Sequence, residues 1–129
     1  MSPDLTYLLY SVILCFVQVL IAASGANTQV GLPTLAGNRE PTPEISGWAG
    51  RAQRAHYNML ESLVLFAILV LTARAAGVSN STTLLGAQLF FWGRVAHAIF
   101  YIAGIAWLRT AAWSVAILGL ILLFVALLA

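Results

Sequence analysis

The chain has 129 residues, of which 61% are hydrophobic and only 8% charged, and its net charge is +2. Because soluble domains carry roughly 25% charged residues, this composition excludes an ordinary soluble domain and indicates a single small membrane domain. The low net charge and the absence of a basic run also argue against nucleic acid binding and against a polybasic lipid-binding segment.

Four apolar segments are long enough to cross a bilayer. A spanning helix needs about 20 mostly apolar residues, because each residue adds about 1.5 Å against a hydrocarbon core of about 30 Å. Within one domain over residues 1–129, we predict helices at about 5–25, 46–76, 82–105 and 110–128. The first segment follows an acidic residue, Asp4, and lacks a basic n-region, so we expect it to be retained rather than cleaved as a signal peptide.

The connections between these segments differ in length. Residues 26–45 include "GLPTLAGNREPTPE", which is rich in proline, glycine and polar residues and therefore predicts a loop outside the lipid. The other two connections are short, which makes consecutive helices antiparallel and predicts an all-α, four-helix up-and-down bundle. Arginines 39, 51, 54 and 109 lie on the side of the long loop, and the positive-inside tendency places that side in the cytoplasm.

The second helix carries an unusual row of polar residues. Arg51, Arg54, Asn58 and Glu61 are spaced by 3, 4 and 3 residues, so at about 100° per residue they share one narrow face. Charged residues inside a membrane are costly and rare, and they indicate a functional site by default.

The third helix repeats the pattern with Arg94, His97 and Tyr101, spaced by 3 and 4 residues. An antiparallel hairpin that turns near residues 77–78 puts Glu61 level with Arg94. Because a buried charge is tolerated when it is paired, we predict a Glu61–Arg94 ion pair, within one subunit or between two.

Positive charge is in excess at the membrane face that carries the long loop. Arg51, Arg54 and Arg109 converge there with too few carboxylates to neutralise them, so we expect an anion, either lipid phosphate or a ligand. Arg39 and Arg74 fit the simpler interpretation of side chains that snorkel to the headgroups.

Several other residues have simpler interpretations. Trp107 and Trp113 fit an interfacial aromatic belt, and Cys15 and Gln18 are interpreted as packing residues. His56 and His97 are conceivable haem ligands, but they lie at different depths and only His97 belongs to a polar row. We therefore predict no metal site.

The segments "RAQRAHYNMLESLVLF", "GRVAHAIFYIAG" and "LRT" resemble the membrane-associated proteins in eicosanoid and glutathione metabolism, the MAPEG family. The likeness covers nearly the whole chain and is closest to bacterial members. It implies a homotrimer of four-helix subunits with glutathione, the bound thiol cosubstrate, between adjacent subunits.

The resemblance also implies a role for each polar residue. Arg109 matches the arginine that faces the glutathione sulfur, and Thr110 beside it is expected to donate a second hydrogen bond. Tyr57 stands where some eukaryotic members have another arginine, a departure that implies either weaker carboxylate binding or a different thiol. The residues expected to bind glutathione are Arg51, Arg54, Asn58, Glu61, Arg94, His97, Tyr101 and Thr110.

Three functions are compatible with these residues. We favour a membrane-bound, glutathione-dependent transferase or peroxidase of the bacterial inner membrane that acts on lipophilic electrophiles or hydroperoxides arriving from the lipid. The alternative is a non-catalytic membrane protein that uses the polar rows for trimer assembly or to bind anionic lipid. A proton-coupled exporter is a third class, which the arginines near Glu61 argue against because they hold it ionised.

Overall fold

The protein is all-helical in a computed structural model that describes residues 1–129. Its five helices are α1 (Pro3–Val30), α2 (Leu32–Ala36), α3 (Gly47–Ala75), α4 (Ser81–Ala103) and α5 (Ala106–Leu128). Helices α1, α3 and α5 are long and apolar enough to cross a membrane. Helix α4 is as long as α5 but is not among them, because polar residues such as Gln88, Arg94 and His97 lower its mean hydropathy.

The predicted loop over residues 26–45 is too long. Helix α1 continues to Val30 and ends at Gly31, whose φ of 82° is readily adopted only by glycine. Helix α2 then follows inside the predicted loop, with Pro33 in its first turn, where a missing backbone N–H costs nothing. The proline and glycine content that predicted irregular structure therefore marks the ends of two helices.

The Gln29 side chain joins the two ends of the connection between α1 and α3. The Gln29 amide nitrogen donates to the Ser46 carbonyl at 2.7 Å, and the Ser46 backbone N–H donates to the Gln29 amide oxygen at 2.9 Å. The end of α1 is thereby joined to the residue that precedes α3.

Helix α4 has well-defined ends. The Asn80 side chain accepts hydrogen bonds from the backbone N–H groups of Thr82 and Thr83, and the Thr83 hydroxyl accepts one from the Asn80 N–H, which is a capping box. At the other end Gly104 adopts the left-handed conformation, and α5 begins two residues later. This tight turn brings the end of α4 next to the start of α5.

Glycines let α4 and α5 make the most extensive helix–helix contact in the chain. A Cβ on Gly119 would lie 2.5 Å from the Gly86 carbonyl oxygen, and a Cβ on Gly93 would lie 2.8 Å from the Ala116 nitrogen. The backbones therefore touch directly, as small residues allow in membrane helices. Against this pair packs α3, where Phe66 stacks on Phe90 with ring centroids 4.0 Å apart.

The outer surface is apolar. Large side chains such as Phe16, Ile68 and Ile99 are more than half exposed, and similar residues lie along all four long helices. Soluble monomers rarely expose contiguous apolar patches of this extent. The surface and the helix lengths together establish an integral membrane protein.

Candidate functional site

Tyr101 and Arg109 meet across the turn between α4 and α5. The guanidinium carbon of Arg109 lies 4.5 Å from the centre of the Tyr101 ring, which is cation–π geometry. The His97 ring lies edge-on to the same tyrosine, with centroids 5.4 Å apart. The predicted α4 residues and the predicted arginine of α5 therefore form one group.

A cavity of about 250 Å³ opens beside this group. Five of the nine predicted site residues line it. The complete lining is Asn58, His97, Tyr101, Arg109, Thr110 and Trp113.

Two buried atoms of the lining residues lack hydrogen-bond partners in the chain, Oδ1 of Asn58 and Nδ1 of His97. Buried polar atoms are nearly always paired in folded proteins, so these two atoms mark a place for a polar ligand or water. No carboxylate lines the cavity, and Arg109 supplies a positive charge. The cavity therefore suits an anion.

Thr110 is expected to donate a hydrogen bond to the thiol, but its hydroxyl proton already has an acceptor within the chain. The Thr110 hydroxyl donates instead to the carbonyl of Ala106 in its own helix, at 3.2 Å. In this arrangement the Thr110 hydroxyl is available to other groups only as a hydrogen-bond acceptor.

Arg51 does not line the cavity. Its Nε donates a 2.9 Å hydrogen bond to the Ile102 carbonyl, which the end of α4 leaves without a helical partner. The excess of positive charge at this membrane face predicts an anionic partner for Arg51. The structure gives it a backbone carbonyl as its partner.

The predicted Glu61–Arg94 ion pair is wrong within the chain. Arg94 is only 1% exposed and its three guanidinium nitrogens have no hydrogen-bond partner, whereas Glu61 is exposed on the outside of α3. Equal depth in two antiparallel helices leaves the rotation of each helix undetermined. Arg94 is instead enclosed within the bundle, without a hydrogen-bond partner of its own.

Arg54 is exposed on the same outer surface of α3 as Glu61, beside apolar side chains such as Leu60 and Val64. Neither charge lines the cavity of its own chain. A charge in an apolar belt requires a partner, so this surface is unsuited to face lipid.

Cys15 and Gln18 are buried on the inner face of α1, and both amide atoms of Gln18 lack a hydrogen-bond partner in the chain. Cys15 Sγ lies 3.9 Å from Nδ1 of His56. His56 itself lines a separate groove of about 320 Å³ between α1, the long loop and α3, together with Arg39 and Gln53. The structure therefore assigns His56 and His97 to different cavities.

Trp113 is the lining residue that the sequence analysis missed. We interpreted it as an interfacial belt residue, and nothing in its own segment contradicts that. The signal lies in its spacing from Arg109, because residues four apart share a helix face.

The model of the MAPEG family matches residues 5–129, nearly the whole chain. No curated protein and no solved structure matches the chain.

Proposed function

Because the chain belongs to the MAPEG family, the membrane proteins of eicosanoid and glutathione metabolism, we propose that it activates the thiol of glutathione for reaction with lipophilic substrates. The observation that carries this proposal is Arg109 at a cavity without carboxylates, beside two unpartnered polar atoms. Glutathione carries two carboxylates and a thiol that reacts as its thiolate, so it matches a positively charged polar cavity.

Arg109 supplies the activation. A cysteine thiol has a pKa near 8.5, so it is mostly protonated at neutral pH. A cation within about 4–6 Å lowers such a pKa by about 1–3 units, and a shift of about two units makes the thiolate the main form at neutral pH. In this proposal Asn58 hydrogen-bonds the peptide, and Tyr101 holds the Arg109 guanidinium over its ring.

The thiolate then has two reactions open to it. As a transferase, its sulfur attacks an electrophilic carbon and a carbon–sulfur bond forms, while a leaving group departs with its electron pair or an activated double bond takes up a proton from solvent. As a peroxidase, it attacks a hydroperoxide, which releases an alcohol and leaves a sulfenic acid. A second glutathione converts that acid to the disulfide and water.

We further propose a homotrimer in which each site is completed by a neighbour. Arg54 and Glu61 lie outside the cavity of their own chain, yet their surroundings are apolar. Between two copies they become available to the glutathione carboxylates and ammonium. The four long helices form an up-and-down bundle in each copy. In our proposal the long loop is cytoplasmic and the membrane is a bacterial inner membrane.

The test compares Arg109→Ala with Arg74→Ala, a matched arginine removed at the far end of α3. In the wild type, glutathione is expected to produce thiolate absorbance and to be conjugated to a generic electrophile. Arg109→Ala is expected to abolish both signals, while Arg74→Ala keeps them. A wild-type protein that binds no glutathione as thiolate and conjugates nothing contradicts the proposal.

Arg54 and Glu61 are both exposed charges, and this observation favours one competing function, a non-catalytic trimer held together by them. In that case Glu61→Gln disrupts the oligomer, and Arg109→Ala changes neither assembly nor any thiol chemistry. Cross-linking in detergent, run beside the conjugation assay, separates the two functions.

A further inference from the structure

One wall of the cavity is aromatic and belongs to α5. Trp113 lies one turn beyond Arg109 on the same helix face, and both side chains line the cavity. The tryptophan is 41% exposed, so its indole also reaches the outer surface. Its place in the lining sets it apart from Trp107, which is 87% exposed and lies outside the cavity.

The cavity is chemically two-sided. Asn58, His97 and Thr110 provide polar atoms, whereas Trp113 provides an apolar aromatic surface. Arg109 lines the same cavity, and one face of its guanidinium is covered by the Tyr101 ring. A thiolate held at Arg109 therefore has the indole as the nearest large apolar surface on α5 against which its reaction partner can rest.

Trp113 also lies within the apolar length of α5. It is seven residues into α5, or about 10 Å from the start of that helix. Ile121, about two turns further along the same side of α5, is an exposed large apolar residue. The indole is thus at the boundary between the cavity and the lipid-facing surface.

We propose that Trp113 is a specificity-determining residue, and that it makes the enzyme prefer planar aromatic electrophiles over aliphatic ones. This inference rests on the proposed function. The electrophile stacks on the indole, and the glutathione thiolate attacks the ring carbon that bears a leaving group such as chloride. The carbon–sulfur bond forms, the carbon–chlorine bond breaks, and chloride leaves with its electron pair. The thiol proton has already passed to solvent.

The expected size of the effect follows from aromatic stacking, which adds to the burial of apolar area. Loss of the indole is expected to lower kcat/KM for an aromatic electrophile about 2- to 10-fold relative to an aliphatic one. Trp113→Phe retains a ring and should keep most of the preference, whereas Trp113→Leu should lose it.

The experiment uses the full chain with glutathione and two probes, chlorodinitrobenzene as the aromatic electrophile and nonenal as the aliphatic one. The measured quantity is the ratio of their kcat/KM values in wild type, Trp113→Leu, Trp113→Phe and the control Trp107→Leu. Thiolate absorbance with glutathione alone is measured in parallel.

Support for the proposal is a ratio that falls in Trp113→Leu, stays near wild type in Trp113→Phe and Trp107→Leu, and leaves the thiolate signal unchanged. Equal losses for both probes, or an unchanged ratio, overturn the role of Trp113 while the thiolate signal upholds the proposed function. Absence of the thiolate signal in the wild type overturns both.

Discussion

The Nε of Arg51 donates to the carbonyl oxygen of Ile102 at 2.9 Å, and this bond joins the start of α3 to the last turn of α4. Gly104, which ends α4 in the left-handed conformation, packs against the same side chain, because a Cβ there would lie 3.4 Å from the Arg51 Nε. The turn held in this way carries Tyr101 on one side and Arg109 on the other. Arg51 is therefore a positioning residue for the site.

Replacing Arg51 by alanine is expected to destabilise the protein by about 1.5–3 kcal/mol, the range for a hydrogen bond from a charged group. Thermal unfolding in detergent measures the loss. The control is Arg74→Ala, since Arg74 is exposed and a matched arginine on the same helix. Equal Tm values for the two variants would count against the positioning role.

Tyr101→Leu is expected to raise the pH at which bound glutathione becomes a thiolate, because Arg109 loses the ring beneath it. Cation–π contacts contribute about 0.5–2 kcal/mol, and Tyr101→Phe keeps the ring while it removes the hydroxyl. A pH titration of thiolate absorbance compares the three proteins. Should Tyr101→Phe shift the midpoint as far as Tyr101→Leu, the hydroxyl rather than the ring is what matters.

Gly119→Ala is expected to destabilise the contact between α4 and α5 by about 1–3 kcal/mol, the usual result of overpacking. The added methyl would meet the Gly86 carbonyl oxygen at 2.5 Å and the Phe90 nitrogen at 2.7 Å, and backbone atoms cannot move aside as a flexible side chain can. Ser114→Ala on the exposed side of α5 serves as the control in thermal unfolding. A wild-type Tm for Gly119→Ala would show that the two helices are farther apart.

Arg94→Met is expected to leave stability unchanged or to raise it by about 1–4 kcal/mol. Burying a charge without a partner is costly, and an apolar side chain of similar length removes that cost. Thermal unfolding with and without glutathione is the measurement. A marked loss of stability in the absence of glutathione would mean that Arg94 has a counter-charge in the assembled protein.

The spacing of polar residues predicted much of the cavity lining. The spacing puts Asn58 in the polar row of the second predicted helix and His97 and Tyr101 in that of the third, and the structure places all three around one cavity with Arg109. Helical periodicity determines which residues share a face, and short connections determine which helices are neighbours. Both are local properties that a sequence shows directly. Glutathione binding by these residues stays a prediction.

Contacts that depend on helix rotation or on the backbone could not be predicted in this way. Arg94 is buried while Glu61 is exposed, and depth matching could not predict this because it contains no information about helix rotation. The partner of Arg51 is a carbonyl freed by the end of α4, and no side-chain pattern in the sequence identifies such a partner. Trp113 is not predicted as a lining residue, because the interfacial aromatic belt already explains a tryptophan near a membrane face.

The direct backbone contact between α4 and α5 has a mechanical consequence. Two helices joined by a tight turn and touching at Gly86, Gly93 and Gly119 have little freedom to slide or separate, so they move as one rigid unit. That unit carries every lining residue of the cavity except Asn58. Within one chain, the width of the cavity therefore depends on where α3 lies relative to the α4–α5 pair.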